Sequence, residues 1–205
     1  KLLIPIDKKP RILALTSSGK VALVRWEFAG KNPGHIYRFL PNGLDGENII
    51  QLLNVPNENN LSLGLLSSDG RFKRLGIEEV IDLSGRASTM VKLKEGVSLT
   101  SAVICINDGI LLIISDIGRI LKLTIEKENL PVMGKLAQGP MTMKLIPGEN
   151  LIGAISFKGN GMESIVLGTK YGSLLKIDIN KIRVCRKGDL GEMCLSLNEK
   201  KSQKE

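Results

Sequence analysis

Four times along the chain an apolar run ends in Ser or Thr, turns through a glycine, and resumes as a strand of mixed apolar and basic residues. The copies read LALTSSGKVALV (13–24), LLSSDGRFKRL (65–75), LIISDIGRILKL (112–123) and VLGTKYGSLLKI (166–177). Their turn glycines, Gly19, Gly70, Gly118 and Gly172, stand 51, 48 and 54 residues apart. A hydroxyl precedes each by three positions: Thr16, Ser67, Ser115 and Thr169. Apolar residues follow at two positions (Val21, Phe72, Ile120, Leu174) and at five (Val24, Leu75, Leu123, Ile177). On a strand these two positions lie on opposite faces, so each hairpin has an apolar residue for the unit before it and one for the unit after it. The fourth position is basic in Arg74, Lys122 and Lys176, with Leu23 the exception. A second landmark follows three of the hairpins in constant order: LDGENII (44–50), LKEGVSL (93–99) and LIPGENL (145–151).

A period near 50 residues with one small β-unit per repeat is the signature of a propeller or related array. The pattern predicts an all-β fold of about four blades of four-stranded antiparallel sheet, over residues 1–197, with hairpins near 11–28, 61–75, 108–125 and 162–179. Each repeat is expected to offer about four short strands, Met90–Leu93 and Met141–Ile146 among them. Glycine is expected at the turns because tight hairpins use positive φ. The connections 29–43, 76–90 and 126–140 are rich in turn formers, and IEEVIDL within the second reads as either one helical turn or an irregular strand. The apolar run in KLLIPIDKKP (1–10) is expected to supply an outer strand to a neighbouring repeat. The last eight residues, NEKKSQKE (198–205), contain no apolar residue and predict a mobile tail. Because the chain starts at Lys1 rather than Met, it reads as a piece of a longer protein.

Charge changes the picture next. The chain carries a formal +8 with an isoelectric point near 9.4. Such a balance favours polyanions as partners. Aromatics make up only 3% of residues, which argues against stacking of exposed bases. The hairpin windows hold Lys20, Arg25, Arg71, Lys73, Arg74, Arg119, Lys122, Lys170 and Lys176 against only Asp69 and Asp116. The basic positions are expected near the outer edges of the blades, where repeated cations would track phosphates.

Catalytic chemistry finds no footing. No phosphate-binding loop of the Walker type is present. The single histidine, His35, has no clustered partners for a metal, none of Cys105, Cys185 and Cys194 forms a CxxC pair, and no metal or cofactor is expected. Cys105 lies in an apolar run and reads as a reduced core residue. Tyr171 sits in the fourth turn and is expected to pack. No apolar run approaches the roughly 18 residues of a membrane span, so no membrane partner is expected and the setting is cytoplasmic.

SSDGRFKRL (67–75), SDIGRILKL (115–123) and TKYGSLLKI (169–177), with KLKEG (92–96) and KLIPGE (144–149), resemble the blades of the C-terminal domains of the A subunits of DNA gyrase and topoisomerase IV. The resemblance covers nearly the whole chain. It implies a β-pinwheel, a disc whose basic rim bends or wraps duplex DNA and presents it for ATP-dependent strand passage. The partners it implies are the remaining A-subunit domains and an ATPase B subunit, in a bacterial nucleoid or a plastid. The chain itself is then the non-catalytic part of a type II topoisomerase. Tyr37 follows Ile36 and Tyr171 follows Lys170, whereas the family's DNA-cleaving tyrosine follows an arginine. Rim cations on this reading include Arg86 and Lys135 in the blade connections. Gyrases carry a Gln-Arg-Arg-Gly-Gly-Lys-Gly box in a connection; the corresponding windows here are GKNPG (30–34), SGRAST (84–89) and GKLAQG (134–139), and none is the box. Bending without strong chiral wrapping is therefore expected, and gyrase and topoisomerase IV types stay open. A propeller that binds proteins through loops on one face is the alternative.

Overall fold

The computed structural model describes residues 11–28, 34–58, 60–83, 85–161 and 163–193. Thirteen strands account for nearly all regular structure. They are β1 (Arg11–Thr16), β2 (Lys20–Leu23), β3 (Ile49–Val55), β4 (Leu61–Ser67), β5 (Phe72–Gly76), β6 (Ser88–Thr89) and β7 (Leu99–Ile106). The remainder are β8 (Ile110–Ser115), β9 (Arg119–Thr124), β10 (Leu151–Phe157), β11 (Ser164–Gly168), β12 (Leu174–Asp178) and β13 (Glu192–Met193). IEEVIDL forms one helical turn, α1 (Glu78–Ile81), and 3-10 turns occur at Trp26–Phe28, Ile36–Phe39 and Ile179–Lys181. The fold is all-β, with four antiparallel sheets.

The hairpins β1–β2, β4–β5, β8–β9 and β11–β12 form where the glycine pattern places them. Each turn is closed in the same way. The glycine amide donates to the carbonyl three residues back, at 3.0–3.1 Å. The hydroxyl residue there then ties down the start of the second strand. Thr16 and Ser67 donate to the carbonyls of Lys20 and Arg71, and the amides of Lys20, Arg119 and Ser173 donate to Thr16, Ser115 and Thr169. The glycines sit at φ between +83° and +86°, where a Cβ is strained. A Cβ on Gly70 would also stand 2.0 Å from the Met143 carbonyl oxygen.

Blade assembly departs from the expected four strands per repeat. The first strand of a hairpin takes a third strand from its own repeat: β3 on β1, β7 on β4, β10 on β8. The fourth strand comes from the next repeat. β6 pairs with β2 and β13 with β9, while Met141 bridges to Arg71, just before β5, and Val132 to Arg74 on β5. Met90–Leu93 and Met141–Ile146 thus form no strand of their own: β6 ends just before Met90, whose amide donates to the Gly19 carbonyl, and Met141 and Met143 make isolated bridges. Two sheets have four strands, one has three, and β11–β12 stands as a pair among the described residues. Residues 1–10 and 198–205, with their expected outer strand and mobile tail, lie outside the described residues.

Packing follows from strand alternation. The positions six before and two after the turn glycine face the next blade; they are Leu13 and Val21, Gly64 and Phe72, Leu112 and Ile120, Val166 and Leu174. In the first three blades all are buried, and all but Gly64, which lies against Phe72 and Cys105, belong to the clusters that join blade one to two, two to three, and three to four. Each repeat's connection is wedged into the junction with the preceding blade: Val80 and Leu83 in the first, Leu130 and Met143 in the second, Ile179 and Ile182 in the third. Blade one has no described neighbour before it. There its own connection, through Leu40 and Leu44, covers the small residues Ala14 and Ala22.

Candidate nucleic-acid interface

The eleven sequence-predicted cations separate into two populations. Lys73, Arg74, Arg119 and Lys122 are buried, which corrects their expected place on the outer edge. A buried charge must find hydrogen-bond partners, and here they are the next turns of backbone. Arg74 donates to the Leu130 carbonyl at 2.7 Å and to Ser62 Oγ at 3.0 Å. Lys122 donates to the carbonyls of Ile179 at 2.9 Å and Ile182 at 3.2 Å. Ser62 belongs to Arg74's own hairpin, but Leu130, Ile179 and Ile182 belong to the connection of the following repeat, so these cations bolt one blade to the next. Lys73 points to the other side, at the carbonyls of Met90 and Lys135. Burial lowers its pKa to about 8, although the Glu79 carboxylate pulls the other way. Burial likewise lowers that of Arg74.

In the first three hairpins the residue after the turn glycine is a cation that forms an ion pair. Arg119 Nε donates to Glu149 Oε1 at 2.8 Å, and its Nη2 pairs with Oε2 of the same carboxylate. Lys20 pairs with Glu47 at 2.6 Å, joined by Ser18. Glu47 and Glu149 are the residues after the landmark glycines in LDGENII and LIPGENL, so the two sequence landmarks are locked together by an ion pair. Burial alone would raise the Glu149 carboxyl; hydrogen bonds from Arg119, Ser115 and the Ile146 amide outweigh it and leave it lowered. Val97 replaces the acid in the second repeat, and Arg71 turns instead to Asp69 and the Gly139 carbonyl.

The remaining predicted cations reach solvent to different degrees. Arg25, Arg86, Lys170 and Lys176 are exposed, and Lys20 and Lys135 are half-buried, the latter paired with Glu79 at 3.0 Å. Tyr171, expected to pack, is 75% exposed, with the Lys170 ammonium 5.0 Å from its ring centre. Cys105 is a buried free thiol whose pKa burial pushes up to about 12. Among the described residues no three His, Cys, Asp or Glu are grouped to hold a metal, and no helix is long and apolar enough to cross a membrane.

Sequence reasoning left the cations of the donated ribbons out of the rim set, with Arg183, Arg186 and Lys187 considered only as an alternative site. Lys92 and Lys94 follow β6, Lys144 follows the Met141 and Met143 bridges, and Arg183, Arg186 and Lys187 precede β13; all are exposed. Lys144 and the Arg186–Asp189 turn are adjacent, with the Lys144 amide donating to the Asp189 carbonyl at 3.0 Å. Third strands touch one another, β3 to β7 and β7 to β10, which marks the converging side of the blades. The donated strands form the opposite edge of the two four-stranded sheets, and Met141 and Val132 bridge at the corresponding edge of the three-stranded one. The landmarks themselves held the signal, since KLKEG and KLIPGE each begin with one of these lysines.

Stacked antiparallel blades, closed by strands passed from repeat to repeat and edged by exposed cations, define a propeller-type β-repeat domain. A family model described as the DNA gyrase C-terminal domain, beta-propeller, matches residues 65–106, 109–158 and 163–200, and the chain belongs to that family. A curated relative, the DNA topoisomerase 4 A subunit of Synechocystis sp. (strain ATCC 27184 / PCC 6803 / Kazusa), is 28% identical over 154 residues, covering 71% of this chain and 16% of that protein. The chain therefore spans about one sixth of the length of that relative. Among solved structures, a DNA gyrase A C-terminal domain superposes with a TM-score of 0.77 at 20% identity, over 91% of this chain and 60% of the other. The C-terminal domain of a DNA topoisomerase IV gives 0.74 at 19%, over 93% and 61%. The E. coli ParC C-terminal domain gives 0.71 at 15%, over 96% and 81%.

Proposed function

We propose that this domain binds duplex DNA along its donated ribbons and serves, without chemistry of its own, in an ATP-hydrolysing type IIA topoisomerase. The observation that carries the proposal is the recurrence of exposed cations at one edge of successive blades: Arg86, Lys92 and Lys94, then Lys144, then Arg183, Arg186 and Lys187. Phosphate neutralisation by such a row is independent of sequence and steepens salt dependence by about 0.9 per contact. Bending 20–30 base pairs by 40–90° costs on the order of 1–6 kcal/mol, which contacts spread over several blades offset. In the parent protein the partners are the other domains of the A chain and a B chain that supplies ATP hydrolysis, in the cytoplasm. The windows at 84–89 and 134–139 carry single cations beside glycine rather than a cluster, so the domain bends DNA and constrains little writhe.

The test is charge reversal of Lys92, Lys94, Lys144, Arg186 and Lys187 to Glu, with duplex affinity read across a salt series. Binding falls on every sequence, and the salt slope drops by several units. Unchanged affinity in a folded variant overturns the ribbon as the site. Ligase closure of a nicked circle with the domain bound reads the writhe; a large positive linking-number shift per domain overturns the bending-only reading.

A further inference from the structure

Blades one and three lock their two landmarks together with a carboxylate, and blade two does not. Glu47 and Glu149, each directly after a landmark glycine, neutralise Lys20 and Arg119, each directly after a turn glycine. The second repeat keeps the cation as Arg71 but has Val97 where the acid would stand. The exchange extends beyond one residue. Residues 92–98, KLKEGVS, carry a net +1, where 42–48, NGLDGEN, carry −2 and 144–150, KLIPGEN, are neutral. Lys94 stands two before its landmark glycine, where the other repeats have Leu44 and Ile146.

The substitution leaves Arg71 incompletely bonded. It lines a notch together with Asp69, Lys92, Lys94, Val97 and Gln138. Its Nη1 donates to the Gly139 carbonyl at 2.9 Å. Its Nε stands 3.3 Å from Asp69 Oδ2 but is buried without a hydrogen bond, and no hydrogen bond joins its Nη2 to any described residue. Asp69 is engaged with Ser67, whose Oγ donates to its Oδ1 at 2.6 Å. In blade three the corresponding guanidinium places both Nε and Nη2 on one carboxylate.

We infer that in blade two a phosphate of bound duplex takes the part that the landmark carboxylates play in blades one and three. The inference rests on the proposed duplex binding and adds where the duplex is gripped. The notch is too narrow for an anion to enter, so the phosphate lies across its mouth, among Arg71, Lys92 and Lys94, all of which reach solvent. A guanidinium fork binds carboxylate and phosphate with the same paired donors, so a blade that lacks its own acid can take one from DNA. Asp69 and Glu95 are the acids beside it, and the three cations outnumber them. Lys20 and Arg119 already hold a carboxylate and add little to the grip.

The test follows the arginine Nε–H signals of the isotope-labelled full chain by NMR as duplex is added, with inorganic phosphate as a separate titrant. The Arg71 signal is expected to shift in step with duplex and the Arg119 signal to stay. Val97→Glu supplies the missing carboxylate, so the Arg71 signal no longer responds to duplex and the salt slope of binding falls by about one. Ser98→Glu puts the same charge one exposed position further on and keeps the Arg71 response. Backbone amide spectra check the fold of both variants. Duplex bound with the Arg71 signal unmoved overturns the inference and leaves the proposed function standing. A domain that binds no duplex at all overturns the proposed function and the inference with it. An equal shift with inorganic phosphate, at matched phosphate concentration, assigns the notch to free anions and overturns duplex as its ligand. Loss of the Arg71 response in both Glu variants reads a general charge effect and overturns the inference as well.

Discussion

The hairpins β8–β9 and β11–β12 are written in nearly the same pattern and live in opposite surroundings. Two positions after the turn glycine, Ile120 is 0% exposed and Leu174 is 77% exposed. Two positions further on, Lys122 is buried against two carbonyls and Lys176 faces solvent. The hairpin motif therefore specifies a turn and two faces, but a neighbour decides whether a face becomes core. The same lysine is a bolt in one blade and a surface charge in the next.

The strongest test of that contrast is the residue after the glycine. Arg119→Ala strands the buried Glu149 carboxylate and is expected to cost about 3–5 kcal/mol. Ser173→Ala, at the equivalent place in blade four, should stay within about 0.5 kcal/mol. Chemical denaturation of the two variants reads the difference directly. Ile120→Ala leaves a cavity between blades three and four and is expected to cost about 2–5 kcal/mol, against less than about 0.5 kcal/mol for Leu174→Ala. Equal losses for the pair would show that blade four is as enclosed as blade three. A smaller gap is expected between Lys122→Met and Lys176→Met. The first leaves the Ile182 carbonyl without the Lys122 donor and the Ile179 carbonyl with only the Ile182 amide, at about 1–3 kcal/mol, and the second is near neutral.

The smallest effect is in pH, at the position three after the glycine, where blade two has Lys73 and blade four has Leu175. With its pKa lowered to about 8, Lys73 gives up its proton in the folded protein before an unfolded lysine, near 10.4, does. Between those values the unfolded chain binds more protons, so this residue makes stability rise with pH, by about 1 kcal/mol from pH 8 to 9. The urea midpoint of Lys73→Met should lack that rise, and Leu175→Met should keep it.

The turns and the inward and outward strand faces were legible because each rests on local rules: glycine at positive φ, a hydroxyl three residues before it, and strand alternation. The ion pair between landmarks was half visible, since Lys20 with Glu47 and Arg119 with Glu149 recur at matching places. The exchange of fourth strands was not legible, because β6 and β13 are two residues long and carry no alternation of their own. The fate of the hairpin cations was hidden for a related reason. Lys and Arg seldom lie fully inside unless paired, and the carbonyls that pair with Arg74 and Lys122 lie 56 to 60 residues away along the chain.

The borrowed fourth strand also sets a clock. β2 ends at Leu23 and its partner β6 begins at Ser88; β9 ends at Thr124 and β13 begins at Glu192. A ribosome adding about 5–20 residues per second therefore leaves each hairpin with an open edge for roughly 3–13 s before its cover is made. During that interval the newest blade is always the unfinished one. Misjoining to an identical edge on a neighbouring nascent chain competes with waiting, and slowing translation just upstream of a ribbon would lengthen the exposure of only one blade at a time.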